Sequence, residues 1–216
     1  MTPQEIDRFF RTLSRQWDGP LKVILTGAAA GAVWGCVRPS VDIDFAVEPA
    51  GKGERVWRGI EEALRRTTAL TGIPANYAQD IDRWGQISLL DYKRHASVYK
   101  RFGSVRVYTL EPAYWSIGKV TRYLDPDIED LVAALSRRKV PARRLAGLWG
   151  EALRKSPPSA ERFQFRRHVE DFLRAYGRKI WGAAFDPQPV LKEFYRRAGI
   201  EEGPLSSKSR LLRGAT

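Results

Sequence analysis

The stretch LKVILTGAAAGAVWGCVRPSVDIDFAV, residues 21–47, decides the fold. Leu21 to Thr26 is a short β-favouring run that stops at Gly27. The alanine- and glycine-rich segment that follows predicts a helix to about Cys36, and Arg38-Pro39-Ser40 predicts a turn. Val41 to Val47 reads as a second strand, with Pro49 to Gly53 as the loop after it. Residues two apart on a strand share a face, so Asp42 and Asp44 project together while Val41, Ile43, Phe45 and Val47 point into the core. Two carboxylates ~7 Å apart on one strand face repel each other and raise the cost of folding unless a cation sits between them. Oxygen donors of this kind select magnesium, with manganese as the alternative. A glycine where a strand gives way to a helix leaves backbone N–H groups free for phosphate and lets a ligand come close. One strand thus presents a metal face and the neighbouring turn a phosphate site, with Ser40 a further phosphate contact or simply a turn residue.

Outward from this stretch, Thr2-Pro3-Gln4-Glu5 has the form of a capping box and opens a helix with the stripe Ile6, Phe9, Phe10, Leu13 and Trp17. Glu54 to Leu70 is a second long helix, with Val56, Ile60, Ala63, Leu64 and Leu70 inward and Gly72 and Pro74 as its stop. Ala75–Ile81 and Gln86–Leu90 read as short strands and Val105–Leu110 as a clearer one. Glu111-Pro112 starts a helix to about Tyr123, and Asp125-Pro126 caps another that buries Ile128, Leu131, Val132 and Leu135. From Ala142 the pattern is helical, broken at residues 156–159 and at Asp186-Pro187. Strand, glycine, helix, strand, helix, strand and then helices make an α/β protein of the α+β kind with a helical appendage. The expected division is an α/β domain over residues 1–136, a basic helical region over 137–203 and a disordered tail over 204–216.

Composition narrows the function. The lone Cys36 removes any disulfide framework and suggests a reducing compartment, and two histidines, His95 and His168, exclude a histidine-rich metal site. The longest charge-free stretch, Val23 to Val37, is interrupted by glycines and too short to span a membrane. No apolar leader follows Met1, so a cytoplasmic protein is expected. The glycines at 27, 31 and 35 lack the Gly-x-Gly-x-x-Gly spacing of a dinucleotide fingerprint and read as a smooth helix face. Net charge is +12, and nearly all of it lies late in the chain: residues 1–136 hold 18 basic and 17 acidic side chains, residues 137–216 hold 19 and 8. Arg143, Arg144, Arg166, Arg167, Arg174, Arg178, Arg196 and Arg197 are read as free to meet RNA phosphates, with a solvated helical face as the plainer alternative.

The glycine turn followed by Asp42-Ile43-Asp44 resembles the nucleotidyltransferase superfamily, whose pattern is Gly-Gly or Gly-Ser and then Asp-x-Asp or Asp-x-Glu on the next strand. Lys119-Val120-Thr121-Arg122 and Asp127-Ile128-Glu129-Asp130 look like a second block, similar to that of small prokaryotic relatives that include toxins of abortive-infection and type IV toxin–antitoxin systems. The resemblance covers roughly residues 21–136. It implies a polymerase-β-like core, a mixed sheet flanked by helices, that moves a nucleoside monophosphate from a nucleoside triphosphate to a hydroxyl, with RNA or tRNA as the expected acceptor and a cognate antitoxin as a further partner. It implies Asp42 and Asp44 as magnesium ligands, Gly27 and Ala28 at the phosphates, Lys119 on phosphate or the incoming hydroxyl, and Arg122 on phosphate. Asp127 or Asp130 would orient those two cations or act as base. The third carboxylate of the pattern is best matched by Asp80, with Asp82 and Asp91 as rivals, and Ala28 stands where the family has glycine or serine. The alternative is a catalytically silent relative that binds RNA or a partner through its basic helices.

Overall fold

Thr2 accepts a hydrogen bond from the Glu5 backbone while the Glu5 carboxylate accepts one from the Thr2 backbone, so the capping box forms and starts α1 (Pro3–Gln16). Its Ile6, Phe9, Phe10 and Leu13 are fully buried, each worth ~1.5–3 kcal/mol of hydrophobic stabilisation. The computed structural model describes residues 1–35 and 40–201, apart from the Trp84 side chain. Cys36, Arg38-Pro39 and the expected tail at 204–216 therefore lie outside the described residues.

The chain continues through β1 (Leu21–Leu25), α2 (Gly27–Val33), β2 (Ile43–Pro49), α3 (Glu54–Thr71), β3 (Ala75–Ala78), β4 (Ala96–Phe102) and β5 (Val105–Leu110). It ends in α4 (Pro112–Arg122), α5 (Asp125–Arg138), α6 (Ala142–Lys155), α7 (Ala160–Trp181) and α8 (Pro187–Ala198). The strands form one mixed sheet in the order β3-β2-β1-β5-β4. β1 runs antiparallel to β2 and parallel to β5, β2 runs parallel to β3, and β4 and β5 form a hairpin. The fold is α+β, as expected, and no described helix is long and apolar enough to cross a membrane.

Alternation along β2 sends Phe45 and Val47 to one face and Asp44, Ala46 and Glu48 to the other. On the first face Phe45 meets the rings of Phe9 and Phe10 at centroid distances of 6.1 and 5.6 Å, so α1 is seated there. On the second, Lys22 pairs with Glu48 at 2.7 Å and donates to the carbonyl of Lys93, so the loop between β3 and β4 lies over it.

Several expectations need correction. β2 begins at Ile43, not Val41, and Val41 is 84% exposed rather than inward because the chain is still leaving its turn there. Leu70 is 66% exposed rather than inward. Gln86–Leu90 is not a strand, because none of its residues pairs with the sheet; the strand lies later, at β4. Asp125 does not cap α5: it is the first helical residue, after Leu124, and makes no capping bond.

The 136/137 division falls inside α5, and one apolar cluster runs from α1 to α8. Trp149 of α6 donates to Ser116 of α4 at 2.9 Å, and Tyr123, just after α4, donates to Asp171 of α7 at 2.7 Å. The basic helices therefore buttress the helix that carries Lys119.

Candidate nucleotide and cation site

Asp42 and Asp44 do share a face, and the reason is specific. β2 and β3 pair in a register that sets Asn76 beside Asp44. The Asn76 side-chain amide donates to Asp42 Oδ2 at 2.9 Å and to Asp44 Oδ1 at 3.0 Å, so both carboxylates converge on one atom. Ser40 donates to Asp42 Oδ1 at 2.8 Å, which fixes the acid that lies outside the strand. Ser40 thus positions Asp42.

Gly27 opens α2 at φ +54°, and a Cβ there would stand 2.1 Å from Asp44 Oδ2. Glycine is required on both counts, by the left-handed backbone and by the acid against it. The Gly27 carbonyl accepts from Trp115 Nε1 at 2.6 Å, tying the turn to α4. α2 has only seven residues, so its dipole is small, and the positive charge at this turn comes from side chains on α4. Ala28 is buried with its methyl group in the core and can offer a ligand only its backbone.

Those side chains are Lys119 and Arg122, three apart on one helical face. Lys119 is buried, reaching Asp127 Oδ1 at 2.9 Å and Asp130 Oδ2 at 2.5 Å. Arg122 grips Asp127 with two bonds, at 3.0 and 2.5 Å. Two cations and two anions balance, which is how both aspartates are tolerated in the interior. Asp130 meets Lys119 through Oδ2 and is not among the residues that line the cleft, so it positions the lysine. A cleft of about 220 Å³ brings Gly27, Asp44, Asp82, Lys119 and Arg122 together, walled by Ile87, Leu110, Tyr114 and Trp115 among others.

Electrostatics separate the acids. Burial raises the Asp44 carboxyl above the ordinary aspartate range; the Asn76 hydrogen bond pulls it back and the Asp42 charge pushes it further up. Burial acts in the same direction on Asp127, but bonds from Arg122 and Lys119 outweigh it and hold that carboxyl low. A carboxyl depressed in the folded state stabilises the protein above its unfolded value of ~3.9, and that contribution disappears as pH falls through the folded value. Asp44 has the opposite sign: its contribution is present below ~3.9 and lost as pH rises through its raised value. Wild type is therefore expected to lose stability more steeply than Asp127→Asn as pH drops below about 4. Urea midpoints across that range check this, and equal slopes would contradict it.

Asp80, the expected third acid, is not among the residues that line the cleft. Asp80 caps a short 3-10 turn, accepting from the Asp82 backbone and from the Tyr92 hydroxyl, both at 3.2 Å. Asp91 is exposed and paired with Arg94 at 3.0 Å. Asp82 is the rival that lines the cleft; it accepts from the Leu89 backbone, and burial raises its carboxyl. Beside the Asp42–Asp44 pair on the sheet stands Asn76, which sequence reading passed over. Its only signal was a polar residue in a weak strand, and pairing with β2 is needed to give it meaning. Among the described residues no group of three or more His, Cys, Asp or Glu side chains could hold a metal. The oxygens that converge belong to two carboxylates, with the Asn76 N–H group between them, and such a pair suits a hard divalent cation completing its shell with water and substrate phosphate.

The basic surface is smaller than its arginine count implied. Arg144 is paired with Glu111, Arg166 and Arg174 with Glu170, and Arg196 and Arg197 with Glu193, so these five are not free. The i, i+4 spacing that puts arginines on one helix face also puts a glutamate within their reach. Arg143, Arg167 and Arg178 are exposed and carry no ion pair among the described residues. Neither a family model, nor a curated protein, nor a solved structure matches the chain.

Proposed function

We propose that this cleft binds a nucleoside triphosphate with a divalent cation, and that the protein transfers the nucleoside monophosphate to a hydroxyl acceptor. One observation carries the reading: Asp42 and Asp44 converge on Asn76, and Asp44 stands against the positive-φ Gly27 in the cleft that Lys119 and Arg122 also line. A cation bound by Asp42 and Asp44 supplies neutralisation of phosphate charge, the main requirement of phosphoryl and nucleotidyl transfer. Arg122, more than half exposed at its tip, meets the phosphates, and Lys119 adds a fixed charge behind it. The acceptor oxygen attacks the α-phosphorus, the bond to the leaving pyrophosphate breaks, and the acceptor proton passes to Asp82 or to water. The aromatic and aliphatic wall formed by Tyr114, Trp115 and Ile87 receives the nucleoside. Arg143, Arg167 and Arg178 support RNA, tRNA included, as the acceptor; a protein or small-molecule hydroxyl and a cognate antitoxin belong to the same proposal.

A second reading, nucleotide binding without turnover, is favoured by the amide of Asn76 standing beside the acid pair where a third carboxylate would serve as base. Incubation with each triphosphate labelled at the α-phosphate, with magnesium and total RNA, separates the two. Wild type should label RNA, while Asp42→Ala and Asp44→Asn should fall to background. Absence of label with every triphosphate, alongside salt-sensitive RNA binding, selects the silent reading, and label on protein moves the acceptor.

A further inference from the structure

The side chain of Asn76 occupies the one point that both acids address. Asp42 and Asp44 are acceptors only, so the Asn76 atom bonded to both at 2.9 and 3.0 Å is the NH₂ group, one N–H for each carboxylate. An amide is neutral, and the positive ends of its two N–H bonds do part of what a cation does there: they hold two like charges together. Register makes this arrangement local to the sheet, because Asn76 is the β3 partner of Asp44. Asn76 is exposed, so its amide can turn without disturbing the core.

We infer that Asn76 is a placeholder for the cation: it keeps Asp42 and Asp44 converged while the site is empty, and it limits the pair to a single divalent ion. Charge gives the second half of the statement. With an amide at position 76 the pair carries −2, which one divalent ion neutralises; a carboxylate there would make −3 and invite tighter or additional binding. Entry of the ion displaces the NH₂ group, since its hydrogens face the incoming charge, and rotation about the last side-chain bond presents the amide oxygen to it. The inference rests on the cation reading of the Asp42–Asp44 pair given above, and the experiment separates the two.

Manganese binding to the full chain is measured by calorimetry and by the loss of the free-ion magnetic resonance signal, for wild type, Asp44→Asn and Asn76→Asp. Wild type should bind one ion, Asp44→Asn none, and Asn76→Asp should bind at least tenfold more tightly. A wild type that binds no ion overturns the cation reading and this inference together. Binding of one ion that Asp44→Asn abolishes and Asn76→Asp leaves unchanged overturns the inference alone, as does wild-type binding of two. A measurement on wild type guards against failure of the aspartate variant to fold without metal. The Asn76 side-chain NH₂ resonances should shift during a magnesium titration with the same midpoint as binding, and unmoved resonances would count against the displacement.

Discussion

Replacing Lys119 with methionine should cost about 3–5 kcal/mol of stability, the range for removing one partner of a buried ion pair. Lys119 is 3% exposed, and the two aspartates it serves are each 1% exposed. Methionine matches the length of the stem and packs as well against Trp115, over whose ring the ammonium now sits at 5.4 Å. What is lost is charge. Asp127 keeps Arg122, but Asp130 has no other hydrogen-bonding partner among the described residues and is left buried without a partner. Urea unfolding of Lys119→Met beside Lys119→Met/Asp130→Leu tests the account. The second change should recover much of the loss, because it removes the stranded carboxylate. A single variant within 1 kcal/mol of wild type would mean that the cluster adds little to the fold.

Gly27→Ala should damage the fold and the site through one added methyl group. The left-handed backbone at φ +54° alone costs a non-glycine residue ~1–2 kcal/mol. The added Cβ would also stand 2.1 Å from Asp44 Oδ2 and 3.0 Å from the Asp44 Cβ, distances that force the acid aside. Asp44 cannot give way freely, since it belongs to β2 and its backbone carbonyl accepts from the Thr26 N–H at 2.9 Å. Gly72→Ala is the control: its φ is +69° at the end of α3, but nothing lies within 4 Å of its added Cβ. Both variants should lose the backbone contribution, and only Gly27→Ala should also lose cation binding. Equal loss of stability with cation binding intact in both would show that the Gly27–Asp44 contact does not set the site.

The helices were largely legible because their caps and stripes are local. Thr2 and Glu5 make α1 begin where it does, and Pro112 and Pro126 start α4 and α5. β4 was missed for a physical reason: it is an edge strand, mostly exposed, with a bulge between Val98 and Lys100, so no burial pattern marks it. The arginines of the C-terminal helices misled because composition counts charges without counting the carboxylates a helix turn away.

Spacing alone set Asp42 two residues before Asp44 with a glycine ahead of both, but Asp42 lies outside β2, and Asn76 and Ser40 bring it round to Asp44. Local patterning likewise determined that Lys119 and Arg122 lie on one side of a helix. Tertiary structure decided the rest. Parallel pairing of β3 with β2 brought Asn76 between the two acids, a contact across 32 to 34 residues of chain. The packing of α5 on α4 turned Asp127 and Asp130 inward onto Lys119, and the loop after β3 put Asp82 in the cleft wall while Asp80 was spent on a cap. No periodicity encodes such meetings, since each depends on which elements the burial of apolar surface drives together.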